Sequence, residues 1–456
     1  MLPEEVRTAT QARAIVEERG LTHVKVGVFD NDGILRGKFI DRPKFFAALE
    51  KGLGFCDVVL GWDSNDQLYD NVTFTGWHTA FPDARVRLLP ETCRSLPLEG
   101  NMLFVLGEFT GGAEEVCPRA TLRRVLRRAA AMGYSANAAA EYEFFLFRET
   151  PASVRQKNYR DLENLTPGYF GYSVLRSAVH AELYQDLLKL AADMRMPIEG
   201  LHTETGPGVI EAALHYAEAL EAADRAALFK TFTKVLAQRR GLMATFMAKW
   251  SEKLPGQSGH LHVSLTRKDG VSAFYDEAAP HTMSQEMRWF VGGQQALMPE
   301  LLAMVASNVN SYSRLVPGYW APTSATWGVE NRTCALRVIK GDPKSQRVEY
   351  RIAAADINPY LALAVAIGSG LWGIEHRIEP DDPISGNAYD RKKLPAGRQL
   401  PRTLTEAAAR LAHSRAAQEL FGAPFVSHFA ASREWEDREF RRAVTDWELG
   451  RYFEII

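Results

Sequence analysis

The sequence predicts an α+β fold in two parts, a small strand-rich unit over residues 1–114 and a larger mixed unit over residues 115–456. Three observations carry this reading. At 456 residues the chain is too long for one ordinary hydrophobic core. Helical and strand-like periodicities intermix without the regular βαβ rhythm of a doubly wound sheet. Between the two parts, Gly111, Gly112 and Ala113 form a flexible step before Pro118 opens a basic helix.

The elements follow in order. Residues 4–19 read as a helix, and from His23 to Ile40 apolar residues alternate in strand fashion around a turn at Asn31, Asp32 and Gly33. Strand character returns at Phe104, Leu106 and Glu108. In the larger part, helices are expected at Ala181 to Met194 and at Ala219 to Ala237, among short strands, while Asp381 to Arg402 is charged and loop-rich. Gly368, Gly370 and Gly373 spell GxGxxG, but they follow the alanine-rich run Leu361 to Ile367 and no strand. A dinucleotide loop needs that strand, so these glycines are read as close packing of a buried helix.

Bulk composition excludes more than it selects. Hydrophobic residues make up 46% and charged residues 24%, with a net charge of −2. Nothing there favours nucleic acid or an anionic membrane as a partner. The opening residues lack the basic-then-apolar layout of a signal peptide, and no apolar run is long enough to span a bilayer, so a cytoplasmic location is expected. The four cysteines, Cys56, Cys93, Cys117 and Cys334, have no metal spacing and are read as reduced thiols.

Three strand-like segments carry unusual polar faces. Side chains at i, i+2 and i+4 of a strand point the same way. Glu141 and Glu143 share a face in AAEYEFFLF, His260, His262 and Ser264 share one in GHLHVSL, and Arg347, Glu349 and Arg351 share one in QRVEYRIA. Each alone also fits a sheet whose polar side meets solvent. A fourth segment, HTETGPGVIEA, sets Glu204 before a Gly206, Pro207, Gly208 turn and Glu211 after it. Pooled beside the imidazole of His260, five carboxylates converging without a cation would cost several kcal/mol per ion in desolvation, with mutual repulsion added. Such oxygen-dominated ligands suit Mg²⁺ or Mn²⁺, and there are enough for two ions.

These segments resemble, in order and spacing, the type I glutamine synthetases. RLVPGYWAP at Arg314 to Pro322, ENRTCALRV at Glu330 to Val338, RVEYR at Arg347 to Arg351 and NPYL at Asn358 to Leu361 anchor the resemblance. It implies a small N-terminal β-grasp domain, a C-terminal catalytic domain on a curved antiparallel sheet, and active sites between neighbouring subunits of a double-ring dodecamer. It implies ATP, glutamate and an amine as substrates. By the same resemblance, one metal is held by Glu143, Glu204 and Glu211, and the other by Glu141, His260 and Glu349. Arg314 and Arg351 match arginines that grip glutamate, Gly256 a substrate-loop glycine, and Arg332 the arginine that stabilises the transferred phosphoryl group. His262, Arg337, Lys344 and Arg347 match nucleotide-phosphate contacts, and Glu199, Tyr216 and Ser264 match residues near ribose and adenine.

The chain departs from the ammonia-using pattern in three places. Trp320 stands after PGY, where those enzymes place an acid; an indole cannot act as a base, but it can hold an ammonium by cation–π attraction worth about 0.5–2 kcal/mol. Asp63, in GWDSND, matches an acid that a neighbouring subunit contributes, though its surroundings differ. Pro255 stands where the family usually has asparagine. These departures resemble the branch that makes γ-glutamylamides from organic amines, including the γ-glutamylpolyamine synthetases. Ammonia as acceptor and a non-catalytic assembly are the alternatives, the second disfavoured because all six metal-ligand positions are filled. Tyr389, in NAYD, resembles a tyrosine adenylylated in some bacterial relatives and is read as a surface tyrosine.

Overall fold

The computed structural model describes residues 1–100, 102–391 and 394–456. Two sheets organise it. The first contains β1 (His23–Phe29), β2 (Leu35–Asp41), β3 (Leu53–Cys56), β4 (Asp83–Leu88), β5 (Arg94–Leu96) and β6 (Met102–Phe109), in the order β2-β1-β6-β4-β3 with β5 also on β6. Its pairings are antiparallel except β1 with β6.

The second, curled sheet contains β7 (Tyr134–Phe147), β8 (Ile198–Thr203), β9 (Val209–Leu214), β10 (Ala217–Glu218), β11 (Met243–Thr245), β12 (Gly259–Arg267), β13 (Trp327–Val329), β14 (Leu336–Ile339) and β15 (Arg347–Tyr350). Their order is β13-β14-β15-β12-β7-β9-β8, with β10 and β11 also on β7. Only β13 with β14 is parallel. This is the α+β arrangement expected from the intermixed periodicities.

The long strand β7 shows why the sheet has one dry face and one wet face. Ala136, Ala138, Ala140, Tyr142 and Phe144 are buried in the main core, so the alternate residues Glu141 and Glu143 must project from the opposite side. Helix Ala219–Arg239 covers the dry face, stacking Phe229 on Tyr142 with 6.4 Å between ring centres. Phe29, Leu89, Leu96, Phe104 and Leu106 of the first sheet join the same core, while Val24, Val26, Val28, Leu103 and Val105 form a second one.

Three expectations about local structure change in detail. The first helix begins at Ala9 because the Thr8 hydroxyl caps it, accepting from the Gln11 N–H at 3.3 Å, and a separate 3₁₀ turn covers Pro3–Glu5. Gly111–Glu115 is a 3₁₀ turn rather than a loose step, since Ala113 and Val116 are buried. The loop from Asp381 to Arg402 contains short 3₁₀ turns at Ala388–Asp390 and Ala396–Arg398, and its Lys392 and Lys393 lie outside the described residues. The GxGxxG glycines sit in the helix Pro359–His376, as read. A Cβ on Gly373 would stand 2.0 Å from the Trp289 carbonyl oxygen, so two helix backbones cross in contact there.

Polar side chains fasten loops beside the first sheet to two helices of the larger part. Asn358 donates to the carbonyls of Asp30 and Asn31 at 3.1 and 3.2 Å, and buried Arg433 pairs with Asp32 at 2.9 Å. His428 Nε2 lies 2.8 Å from the Leu60 carbonyl and 3.0 Å from Asn31.

Candidate active site

Strand register assembles the polar groups. Across β8, β9 and β7, His202 stands opposite Glu211, and Glu211 opposite Glu143. Glu141 on β7 faces His260 on β12, and His262 faces Glu349 on β15, which in turn faces Arg337 on β14. Cross-strand partners share a face, so all these groups project to the wet side. There they line a cavity of about 730 Å³ that also receives Glu204, Gly256, Arg314, Arg332, Arg347 and Arg351. Trp320 reaches its wall, as do Pro255, Tyr172 and Tyr319.

A second cavity of about 570 Å³ adjoins the first, sharing Glu141, Ala213, His262 and Arg347 with it. Glu199, Tyr216, Ser264 and Lys344 line this second space. The residues that resemblance assigns to nucleotide thus fall mostly in one cavity, and those assigned to glutamate fall in the other.

Glu143, Glu204 and Glu211 bring ligand oxygens within 4.8 Å of one another. Their electrostatics show strain. Burial raises the carboxyls of Glu143 and Glu204, and burial plus the nearby Glu141 and Glu143 charges push Glu211 up to about 8, against the opposing pull of His202. Glu143 is raised even though it accepts from both the N–H and the hydroxyl of Ser258 at 2.5 Å. Each of the three carboxyls is raised because its negative charge is poorly solvated beside its neighbours, and a divalent cation would relieve that cost.

His202 already supplies one positive charge. Its Nδ1 faces the Thr203 carbonyl at 3.0 Å and its Nε2 faces Glu211 at 3.0 Å. Both partners accept, so both nitrogens carry protons, and despite burial the imidazole is raised to about 9 by Glu211 and Thr203. The ring stacks on Tyr172 with 4.2 Å between centres.

The second group differs from the expected set. The imidazole within 4.8 Å of Glu141 and Glu349 is His262, whereas His260 was assigned there. Hydrogen bonding separates the two rings. Arg347 Nε donates to His262 Nδ1 at 3.2 Å, which puts the His262 proton on Nε2, 3.3 Å from Glu141, where it leaves no lone pair for a cation. His260 is buried, lies opposite Glu141, and among the described residues its Nδ1 has no partner. Burial and the nearby Arg351 hold that ring neutral, down to about 3, which is the ligand form. His260 therefore fits a cation, and His262 fits a hydrogen-bonding role. Glu349 is brought down to about 2 because His260, Arg351 and His262 outweigh its burial.

The arginines approach from one rim. Arg314 is buried, donates to the Ile352 and Arg351 carbonyls at 2.9 and 3.2 Å, and is lowered to about 10 by burial. A Cβ on Gly256 would lie 2.7 Å from its Cγ, so glycine is required for this close approach. Arg351 pairs with Glu349, and Arg337 joins Glu349 at 3.0 Å and Glu330 at 2.5 Å. Arg332 stands exposed on the preceding turn.

Trp320 belongs to a projecting loop. It is 58% exposed and takes a positive φ of 59°, two residues after Gly318 at 87°. Next to it, Lys249 Nζ lies 4.2 Å from the Tyr319 ring centre. The loop's base is fixed by the half-buried Tyr389, whose hydroxyl donates to the Ala321 carbonyl at 2.9 Å. Asp63 lies in neither cavity; its carboxylate accepts from the Asn65 and Gln67 N–H groups at 2.9 and 2.8 Å.

Residues 115–452 match the family described as glutamine synthetase, catalytic domain. The chain belongs to the glutamine synthetase family. It is 46% identical over 438 residues to type-1 glutamine synthetase 2 of Dictyostelium discoideum, covering 95% of this chain and 84% of that one. It is 35% identical to the glutamate–isopropylamine ligase of a Pseudomonas species over the full length of both, and 37% identical to the gamma-glutamylethanolamide synthetase of Streptomyces coelicolor over 97% and 95% of the two chains. The solved structure of GmaS without ligand superposes with a TM-score of 0.84 at 26% identity, covering 97% and 99%. Membership makes the chain a carbon–nitrogen ligase fold of the glutamine synthetase type, with a γ-glutamylamide-forming branch among its relatives.

Sequence reasoning missed His202, Ser258 and Tyr172. The first two carried a signal: His202 precedes Glu204 by two residues, and Ser258 precedes His260 by two, the strand period already used. Tyr172 had none, since it sits on a loop at φ 56°.

Proposed function

We propose that this glutamine synthetase relative is a glutamate–amine ligase, forming γ-glutamyl phosphate from ATP and glutamate and then a γ-glutamylamide from an organic primary amine. The observation that carries the acceptor assignment is Trp320 at the wall of the carboxylate cavity, which Tyr319 and Tyr172 also line. An aromatic rim favours a carbon-bearing cation over ammonium. The similarity to an isopropylamine ligase and an ethanolamide synthetase points the same way. Ammonia as acceptor is the second reading, favoured by the similarity to a type-1 glutamine synthetase.

In this reading Glu143, Glu204 and Glu211 hold one Mg²⁺ or Mn²⁺, and Glu141, His260 and Glu349 the other. Bound there, the ions neutralise charge on the phosphates and the glutamate carboxylate. Arg314 and Arg351 fix the substrate acid at the Gly256 loop. Its γ-oxygen attacks the terminal phosphorus of ATP, the bond to the bridging oxygen breaks, and ADP departs. Arg332 stabilises the equatorial oxygens during transfer, while His262, Arg337, Lys344 and Arg347 hold the phosphates, and Glu199, Tyr216 and Ser264 border the nucleoside. The unprotonated amine then attacks the acyl carbon and expels phosphate, with Trp320 stacked on its alkyl part. Asp63 of an adjoining subunit takes the amine proton, in keeping with its position outside its own chain's cavities. A cytoplasmic dodecamer supplies that neighbour. ADP release with glutamate, ATP and Mg²⁺ across ammonium, alkylamines, ethanolamine and diamines tests the reading; ammonia as the best acceptor would overturn it.

A further inference from the structure

A third cavity lies away from this chemistry, an open groove of about 1070 Å³ between the first helix and first sheet on one side and the end of helix Ala181–Asp193 on the other. Arg19, Arg195 and Arg225 line it, with Arg94 directly behind.

Neutral acceptors help to orient these guanidinium groups. Arg195 donates to the Glu91 and Cys93 carbonyls at 3.0 and 2.9 Å, Arg225 to the His215 carbonyl at 3.4 Å, and Arg19 to the Ser95 hydroxyl at 2.9 Å. Fully buried Arg94 donates to the Thr92 and Met194 carbonyls at 2.7 and 3.1 Å. Carbonyls fix orientation without cancelling charge. One carboxylate, Glu221, serves three of the arginines: Arg94 at 3.2 Å, Arg225 at 3.2 Å and Arg195 at 3.6 Å. Of the two acids at the rim, Asp193 is taken by Lys189 at 2.7 Å and Glu4 faces solvent. Consistently, burial and repulsion from Arg94 lower Arg195. Arg195 also sits at φ 60° just beyond the helix, a conformation glycine usually takes there.

We propose that this groove binds a small multivalent anion, a polycarboxylate or a phosphate, on the fork formed by Arg195 and Arg225. Planar guanidinium forks with fixed orientation and surplus charge match several oxygens on one small ligand. The groove stands close to the nucleotide side. Arg225 bonds the His215 carbonyl, the His215 N–H donates to Pro197 at 2.9 Å, and the next residues along, Tyr216 and Glu199, line the second cavity.

The test is calorimetric titration of the full-length, metal-free and nucleotide-free protein with citrate and, separately, inorganic phosphate, against chloride at matched ionic strength. Arg195→Gln and Arg225→Gln probe the groove, and Arg337→Gln probes the active site as the competing anion site. At least one anion should bind the wild type, lose about tenfold or more in affinity in both groove variants, and keep its affinity in Arg337→Gln; the anion that binds assigns the class. If one groove variant fails to fold, the other carries the comparison. Binding of neither anion beyond the chloride control, or loss in Arg337→Gln with the groove variants unaffected, overturns the proposal.

Discussion

The floor of the main cavity and its acceptor rim are built by different means. The floor groups stand on strands whose register sets their spacing, from His202 and Glu211 across to Glu349 and Arg337. The rim is a loop that carries an exposed Trp320 at positive φ and is held at its base by the Tyr389 hydroxyl. Register moves only as a block, since a one-residue slip reverses every side chain. A loop residue can change alone, so under the proposed function the floor fixes which bond is activated and the rim sets what attacks it.

Four outcomes would break or sharpen this contrast. The largest effect belongs to the floor. Glu143→Gln or Glu349→Gln should lower ADP formation by about a thousandfold or more, because an amide lacks the charge a divalent ion uses. Near wild-type turnover of either variant at saturating Mg²⁺ would remove the two-ion assignment. Light scattering should show the assembly unchanged.

Next comes the adjoining subunit. An Asp63→Ala variant and an Arg332→Gln variant should each be nearly inactive, and mixing equal amounts under exchange should restore about a quarter of the sites, since intact pairing requires one particular neighbour out of four combinations. No recovery in verified mixed oligomers would mean that Asp63 does not complete a neighbour's site.

The rim should respond more mildly. Trp320→Ala should raise the amine KM about tenfold, about 1.4 kcal/mol and within the range of cation–π contacts, with kcat less affected. Trp320→Glu should move preference toward ammonia. An unchanged amine ranking in Trp320→Ala would reduce the indole to loop packing. Amine-independent acyl phosphate formation should persist in both variants, which no floor variant should allow.

The last outcome, smallest in its effect on activity, lies outside both regions and serves as their control. Burial lowers His428 from an ordinary value of 6.5 to about 4, so the unfolded chain binds its proton first as pH falls. The neutral ring's contribution to stability is therefore complete above pH 6.5 and is lost progressively between about pH 6.5 and 4, up to about 3 kcal/mol. Urea unfolding of His428→Gln should show less acid destabilisation than the wild type across that window. Equal slopes would show that His428 is not the group responsible. Trp320 variants should follow the wild-type curve.

Much of the floor was legible because strand alternation is written directly in the chain. Glu141 with Glu143, and His260 with His262, could be placed on a common face from spacing alone, and the glycine decoy resolved once its helix was recognised. What spacing could not reveal was rotamer and partner. Arg347 holds His262 against Glu141, while the His260 Nδ1 has no partner among the described residues, and no one-dimensional pattern reports that choice. The first helix was begun too early because its apolar rhythm continues through residues that Thr8 excludes by capping. Tyr172 was invisible because a loop residue at positive φ has no period to betray it.

The two cavities meet at a wall only a few side chains thick, Glu141, His262 and Arg347 facing both. In evolutionary terms that wall is a fixed joint. Any substitution in it touches both chambers at once, so under the proposed function a change of amine is tried most freely at the far rim, where a mutation leaves the nucleotide side intact.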